Sequence, residues 1–530
     1  MNRIMYGGTW ITALVLGSAT ATATAAVAQD VSPLTRAEAS GFMETTRHVE
    51  AEVFLHEVAD RSPDITLTSF GYSMEGRTLW LAVVGDADGS AESVRQSGKT
   101  RVYIQGNIHA GEVEGKEAML ALLREIANGA HRNWLESMVL LVAPIYNADG
   151  NERITLTNRR LQHGPTGGMG QRPNAQGYDL NRDHMKLESP EARSLVRMFR
   201  DYDPHVLIDL HATNGTHHGY HLTYSPPLHP NTPEPIVALL RNRLLPSVTK
   251  TIKDRDGWDF YYYGNLPRQG SNRQRGWYTF DHRPRFGNNY AGLRNRVAIL
   301  SEAYAYLPFE ERVSVTRRFV EELLSYIHSN GTEIRQIVTD AETALIIGQQ
   351  LAVRAEFERS DARKEILLGE VMTERHPLTG QPVLRRLDRQ IPTRMYEFGT
   401  FAAAETERVP SAYYIPAVLT GVIDRLEAHG VQTEQFNGPT TREVERFRIE
   451  SSTAAEREFQ GHRERTLTGM YQLADVTLAA GTRIVHVDQP LGRLVFTLLE
   501  PRSDDGLVNW NVLDEVLSDA DFYPIVRSVQ

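Results

Sequence analysis

The 530-residue chain carries 57 basic against 67 acidic side chains, a net charge of -10, with 41% hydrophobic residues and no cysteine. That length exceeds what one hydrophobic core supports, so two folded domains are expected. The diffuse acidic balance leaves no basic stripe for nucleic acid, and the lack of cysteine excludes disulfides and a lipid-modified cysteine.

The first 28 residues read as an export signal. Arg3 supplies the positive charge, Trp10 to Gly17 the apolar stretch, and Ala26-Val27-Ala28 the small-residue cleavage pattern. Cleavage near Ala28 would leave a periplasmic or secreted protein. The apolar stretch fades into an Ala/Thr tract too weak for a membrane span, so no stable membrane insertion is expected after cleavage.

From Leu34 to Tyr326 strand-like and helix-like segments alternate, the pattern of an α/β layer structure. Val102-Tyr103-Ile104 is a strand that leads to His109 and Glu112. After it Met119, Leu122, Leu123, Ile126 and Ala127 form one helical stripe, which turns Lys116, Glu117, Arg124 and Glu125 outward. Met138 to Pro144 is a buried strand that ends in Asn147-Ala148-Asp149-Gly150, where Asp-Gly favours a tight reversal. Val206 to Leu210 runs to His211, and Val297 to Ser301 runs to Glu302. Phe319, Leu323 and Ile327 mark a closing helix that stops before Ser329-Asn330-Gly331.

The division expected is therefore a signal peptide at 1–28, a catalytic domain at 33–331, a helical connector at 332–360 and a smaller α+β accessory domain at 361–530. In the last, Ala412 to Ile415 reads as a strand, Ala417 to His429 as a helix stopped by Gly430, and Thr466 to Leu499 as several β runs.

His109, Glu112, His211 and Glu302 each follow an apolar strand-like run. In an open α/β sheet the carboxyl ends of such strands share one crevice. Two imidazoles and a carboxylate are the ligand set of a catalytic zinc that keeps a position for water, and Glu302 is then free to move protons. His217, His218 and His221 crowd the loop after His211 but lie past the strand end. Gly177 to Asp183 adds Asn181 and Arg182, able to hold a carboxylate in planar, bidentate hydrogen bonds; the alternative is an internal ion pair of Arg182 with Asp179 or Asp183.

Together these residues resemble the zinc carboxypeptidases of the carboxypeptidase A type. The likeness runs from about Arg36 to Leu324, through Ser73-Met74-Glu75-Gly76-Arg77, the His109/Glu112 pair, Asn147 to Gly150, Asp179 to Arg182, His211 and Glu302. It implies a mixed, mostly parallel eight-stranded sheet between helices. It also implies one Zn2+ ion on His109, Glu112 and His211, Asp179 orienting a zinc-bound imidazole, Asn181 and Arg182 on the substrate's terminal carboxylate, and Glu302 as general base.

The resemblance departs in two places. The counted position of the carbonyl-polarising arginine falls on Gln162, with Arg159 and Arg160 as neighbouring candidates. The mobile tyrosine falls near Phe280, with Tyr278 and Tyr290 out of register. Side-chain preference is set somewhere in Arg268 to Gly292, where Arg283 and Arg285 hint at acidic groups.

The function expected is an exported zinc-dependent metallocarboxypeptidase that cuts C-terminal peptide bonds with zinc-activated water. Two alternatives stay open: another zinc amide hydrolase (a cell-wall peptide endopeptidase or an acyl-amino-acid amidase), and an inactive peptide- or glycan-binding module. Oligomeric state and the role of the C-terminal domain are not specified by the sequence.

Overall fold

The computed structural model describes residues 32–529; the expected export signal lies outside them. Nine strands fall in the first part of the chain: β1 Ile65–Tyr72, β2 Thr78–Val84, β3 Thr100–Gly106, β4 Met138–Ala143, β5 Val206–Thr213, β6 Leu222–Ser225, β7 Phe260–Tyr262, β8 Gly276–Tyr278 and β9 Val297–Tyr304. All but β8 make one eight-stranded sheet, in the order β1-β2-β4-β3-β5-β9-β6-β7. The pairs β3/β4, β3/β5, β5/β9 and β6/β7 are parallel; β1/β2, β2/β4 and β6/β9 are antiparallel. This is the mixed, mostly parallel sheet expected.

Every residue of β3, β4 and β5 is buried, which explains why these strands read as unbroken apolar runs: parallel strands have both faces covered by helices. On β5 the two faces can be told apart by alternation. Leu210 is approached by Gly115 of the helix Glu114–Ala127, where an added Cβ would sit 2.7 Å from Leu210 Cβ. Asp209 instead faces Gly287 of the helix Gly287–Leu293, whose added Cβ would sit 3.5 Å from the Asp209 carboxylate. His211, two residues after Asp209, shares that second face.

Three local expectations change. Lys116 and Glu117 do not face outward: both are buried, because the N-terminal segment covers the helix. Glu117 accepts hydrogen bonds from the Thr45 hydroxyl and from the Thr46 N–H and hydroxyl, and Lys116 donates to Thr46 O and to Asn151. Asn147 to Gly150 is no tight reversal either. It starts a short helix, Ala148–Glu152, capped by Asn147 Oδ1, which accepts from Gly150 N–H at 2.9 Å. Asp149 there accepts from the Ser73 hydroxyl and from Arg77, which ties together two of the motifs noted in the sequence.

Third, the closing helix does not stop at Ser329. It runs unbroken over Phe309–Thr343, and Gly331 serves close packing, since a Cβ there would lie 2.5 Å from the Thr100 hydroxyl. What read as a connector helix is the second half of this element, followed by a strand.

The remaining strands are β10 Gln350–Glu358, β11 Lys364–Arg375, β12 Pro382–Phe398, β13 Thr400–Arg408, β14 Ala412–Ile415, β15 Glu434–Gln435, β16 Thr440–Ala454, β17 Arg465–Leu478, β18 Arg483–His486 and β19 Val526–Ser528. The helix Thr420–His429 ends at Gly430 with φ +86°, as expected. The β11/β12 hairpin adds β8 alongside β12, and six strands form the sheet β15-β18-β14-β19-β16-β17. These sheets are bonded directly to the first part of the chain: Arg285 pairs with Asp505 at 2.7 Å, both fully buried, and the Tyr290 hydroxyl meets His429 at 2.8 Å. From Pro33 onward the chain forms one compact unit.

Candidate active site

Strand register brings the distant residues together. His211 and Glu302 are direct partners across the β5/β9 pair, while His109 lies on the loop after β3, the neighbour of β5 on its other side. Glu112 follows a turn closed by its N–H donating to His109 O at 2.8 Å. That turn points its carboxylate back at both imidazoles: Oε1 lies 3.0 Å from His109 Nδ1 and Oε2 lies 2.9 Å from His211 Nδ1.

Each histidine is held at its outer nitrogen by a carboxylate. His109 Nε2 lies 3.1 Å from Asp179 and His211 Nε2 lies 2.9 Å from Asp209. Each outer carboxylate fixes its ring's orientation, and both Nδ1 atoms turn inward toward the Glu112 carboxylate. Those two nitrogens lie 3.2 Å apart, so that three potential donor groups converge on one point. A zinc ion with bonds of about 2.0–2.2 Å needs donor atoms roughly 3.3–3.6 Å apart, close to the separations present. His109, Glu112 and His211, all buried, thus fit a metal ion.

Electrostatics agree. Burial disfavours charge on His211, yet Asp209 and Glu112 raise its proton affinity well above the usual imidazole value, so the pocket favours positive charge. Burial likewise opposes ionisation of Glu112, but His109 and Arg159 hold it well below the carboxylate range.

Glu302 faces the same cavity with its Oε2 buried and without a hydrogen-bond partner. Burial pushes its carboxyl up to about 8, the positive His211 pulls it back, and Glu112 pushes it further up. Asn181 and Arg182 sit on the wall of the cavity. Asn181 Oδ1 accepts from Gly287 N–H at 2.8 Å, which leaves its amide nitrogen 3.5 Å from His211 Nε2. The Arg182 guanidinium stacks 3.8 Å from the Phe286 ring centroid and lies 3.8 Å from the Asp179 carboxylate, so the internal pair with Asp179 is present, while Asp183 is taken by Lys186.

The two neighbouring arginines differ in position. Arg159 reaches Glu112 Oε1 at 2.6 Å and is supported by Gln162 Oε1 at 3.3 Å, whereas Arg160 is exposed and lines another cavity. A second arginine, Arg172, was not foreseen. It donates to Asp179 at 2.9 Å and lies 3.9 Å from Glu112. Its loop is pressed against the site at Gly170, where a Cβ would come within 2.6 Å of Ala110 O and Gly150 O.

Asp209 was also missed, though its place two residues before His211 on a strand put both on one face. Tyr263, the residue after β7, lines the cavity beside Phe280; the sequence pattern places no strand there. Arg283 and Arg285 are spent on Asp281, Glu464 and Asp505 and do not line the cavity. Neither do His217, His218 or His221.

The C-terminal sheet supports the site from behind. Gln460, in the loop between β16 and β17, accepts from Asp179 N–H at 2.8 Å, and His462 pairs with Glu188 at 2.9 Å.

This fold and site belong to a metallopeptidase class, and comparison with known proteins gives the same class. Residues 51–280 match the family model described as zinc carboxypeptidase, a match that supports a zinc metallocarboxypeptidase. It is 26% identical over 506 residues to Carboxypeptidase 2 of Trichophyton tonsurans, covering 91% of this chain and 86% of that protein. Carboxypeptidase E of Caenorhabditis elegans is 33% identical over 169 residues, 29% of this chain and 34% of the relative. Among solved structures, carboxypeptidase A from Helicoverpa armigera superposes with a TM-score of 0.42 at 16% identity, over 55% of this chain and 75% of that one.

Proposed function

We propose that the protein is an exported carboxypeptidase in which His109, Glu112 and His211 hold one zinc ion and Glu302 is the general base. Bound there, zinc would supply a Lewis acid that polarises water and the scissile carbonyl. Glu302, which lines the cavity and whose Oε2 has no hydrogen-bond partner, takes a proton from the attacking water. The water oxygen bonds to the carbonyl carbon, the C–N bond breaks, and Glu302 returns the proton to the leaving amine. Arg172 and Arg159 line the cavity where the oxyanion forms. Asn181 and Arg182 hold the substrate's terminal carboxylate; burial pulls Arg182 down to about 10, so it stays charged at neutral pH.

The single observation that carries this reading is the meeting of both imidazole Nδ1 atoms and the Glu112 carboxylate beside Glu302, whose Oε2 has no hydrogen-bond partner. Paired peptides test its exopeptidase part. A peptide with a free C-terminus should lose single residues, followed by mass spectrometry, and its C-terminal amide should be nearly inert; equal cleavage of the amide, or internal fragments, points to an endopeptidase instead.

Asp209 and Asp179 orient the two imidazoles. Asp209→Asn is expected to weaken zinc binding roughly 10–100-fold, the usual effect of losing such a partner. Competition with a chromogenic chelator measures it, and an unchanged affinity would remove Asp209 from this role.

A further inference from the structure

A large groove opens from the catalytic cavity. Asn214, Tyr263 and Phe280 line both spaces, while Asn181 and Arg182 line only the inner one. The groove has a volume of about 930 Å³ against about 150 Å³ for the catalytic cavity, at the upper end of ligand-sized clefts. No carboxylate lines it, but Arg268 and Arg273 do. Both are exposed. Neither has an ion-pair partner among the described residues, in a chain whose net charge is -10. Arg273 is fixed on the wall, its guanidinium 4.9 Å from the Phe357 ring centroid and 5.3 Å from that of Tyr278.

A carboxypeptidase releases one residue, so anything that extends past the catalytic cavity is the retained part of the peptide. We propose that this groove binds the segment upstream of the scissile bond and that Arg268 and Arg273 select acidic side chains there. Two unneutralised guanidinium groups attract carboxylates and repel lysine, and the planar fork can take a carboxylate through paired hydrogen bonds. The inference rests on the carboxypeptidase reading above, and specifies its substrate class as peptides with acidic residues before the C-terminal pair.

The test compares kcat/KM for peptides that share their last two residues and carry glutamate, glutamine or lysine upstream, beside a short N-acylated dipeptide that fills only the inner cavity. The glutamate peptide should exceed the glutamine one by roughly three- to tenfold, the scale of exposed ion pairs, and the ratio should fall as salt is raised. In the double variant Arg268→Glu, Arg273→Glu the order should invert toward lysine; because the ratio is taken within one preparation, differences in folding or metal loading cancel. Equal rates for glutamate and glutamine peptides, with the dipeptide still cleaved, overturn the groove assignment alone. Failure to release a single C-terminal residue from any of them overturns the underlying reading as well.

Discussion

Glu302→Gln is expected to lower kcat by roughly 10²–10⁴-fold, the usual worth of general acid-base catalysis, while the fold and metal content remain. The amide keeps the size of the carboxylate but cannot take a proton. The residue is not among the three that surround the metal position, and its Oε2 holds no partner whose loss would disturb the sheet. The raised carboxyl, pushed to about 8 by burial, marks a group whose affinity for a proton suits transfer near neutral pH. Steady-state kinetics on a free-acid peptide decides the matter, and activity within a few-fold of the parent would take the proton-transfer role away from Glu302.

The second large effect is expected at His211. His211→Ala removes one of two facing nitrogens and leaves the Asp209 and Glu112 carboxylates, fully buried, with one fewer partner. Activity should vanish and stay absent when zinc is added back over a graded series, since two remaining donors do not make a catalytic site. Recovery of full activity with excess zinc would mean that the ligand set is different.

Much of this arrangement was legible in the sequence because β3, β5 and β9 are buried on both faces and therefore appear as apolar runs. The chemistry-bearing residues stand at or near their ends. What the sequence withheld came from tertiary cover, loop path and strand length. Lys116 and Glu117 lie off the apolar stripe, and only the N-terminal segment laid over them makes that face interior. Gly331 has the composition of a stop signal but is selected by the closeness of Thr100. Arg172 joins the site through a loop whose path is set by contacts at Gly170, which no periodicity encodes. Tyr263 follows β7, a strand of three residues too short to show a pattern.

The C-terminal region read as a separate accessory module because its texture changes after the long helix. In the structure it shares a sheet with β8, and through Gln460 it reaches the backbone of Asp179. That contact lies at the start of the Asp179 to Arg182 stretch. Local pattern cannot announce such a contact, which spans 281 residues of sequence.

The most direct test of the central claim is elemental analysis of zinc per chain in the purified parent, Glu302→Gln and His211→Ala proteins after exhaustive dialysis. The account predicts one equivalent in the parent, one in Glu302→Gln and none in His211→Ala. A full equivalent retained without His211, or loss of zinc on changing Glu302, would contradict it.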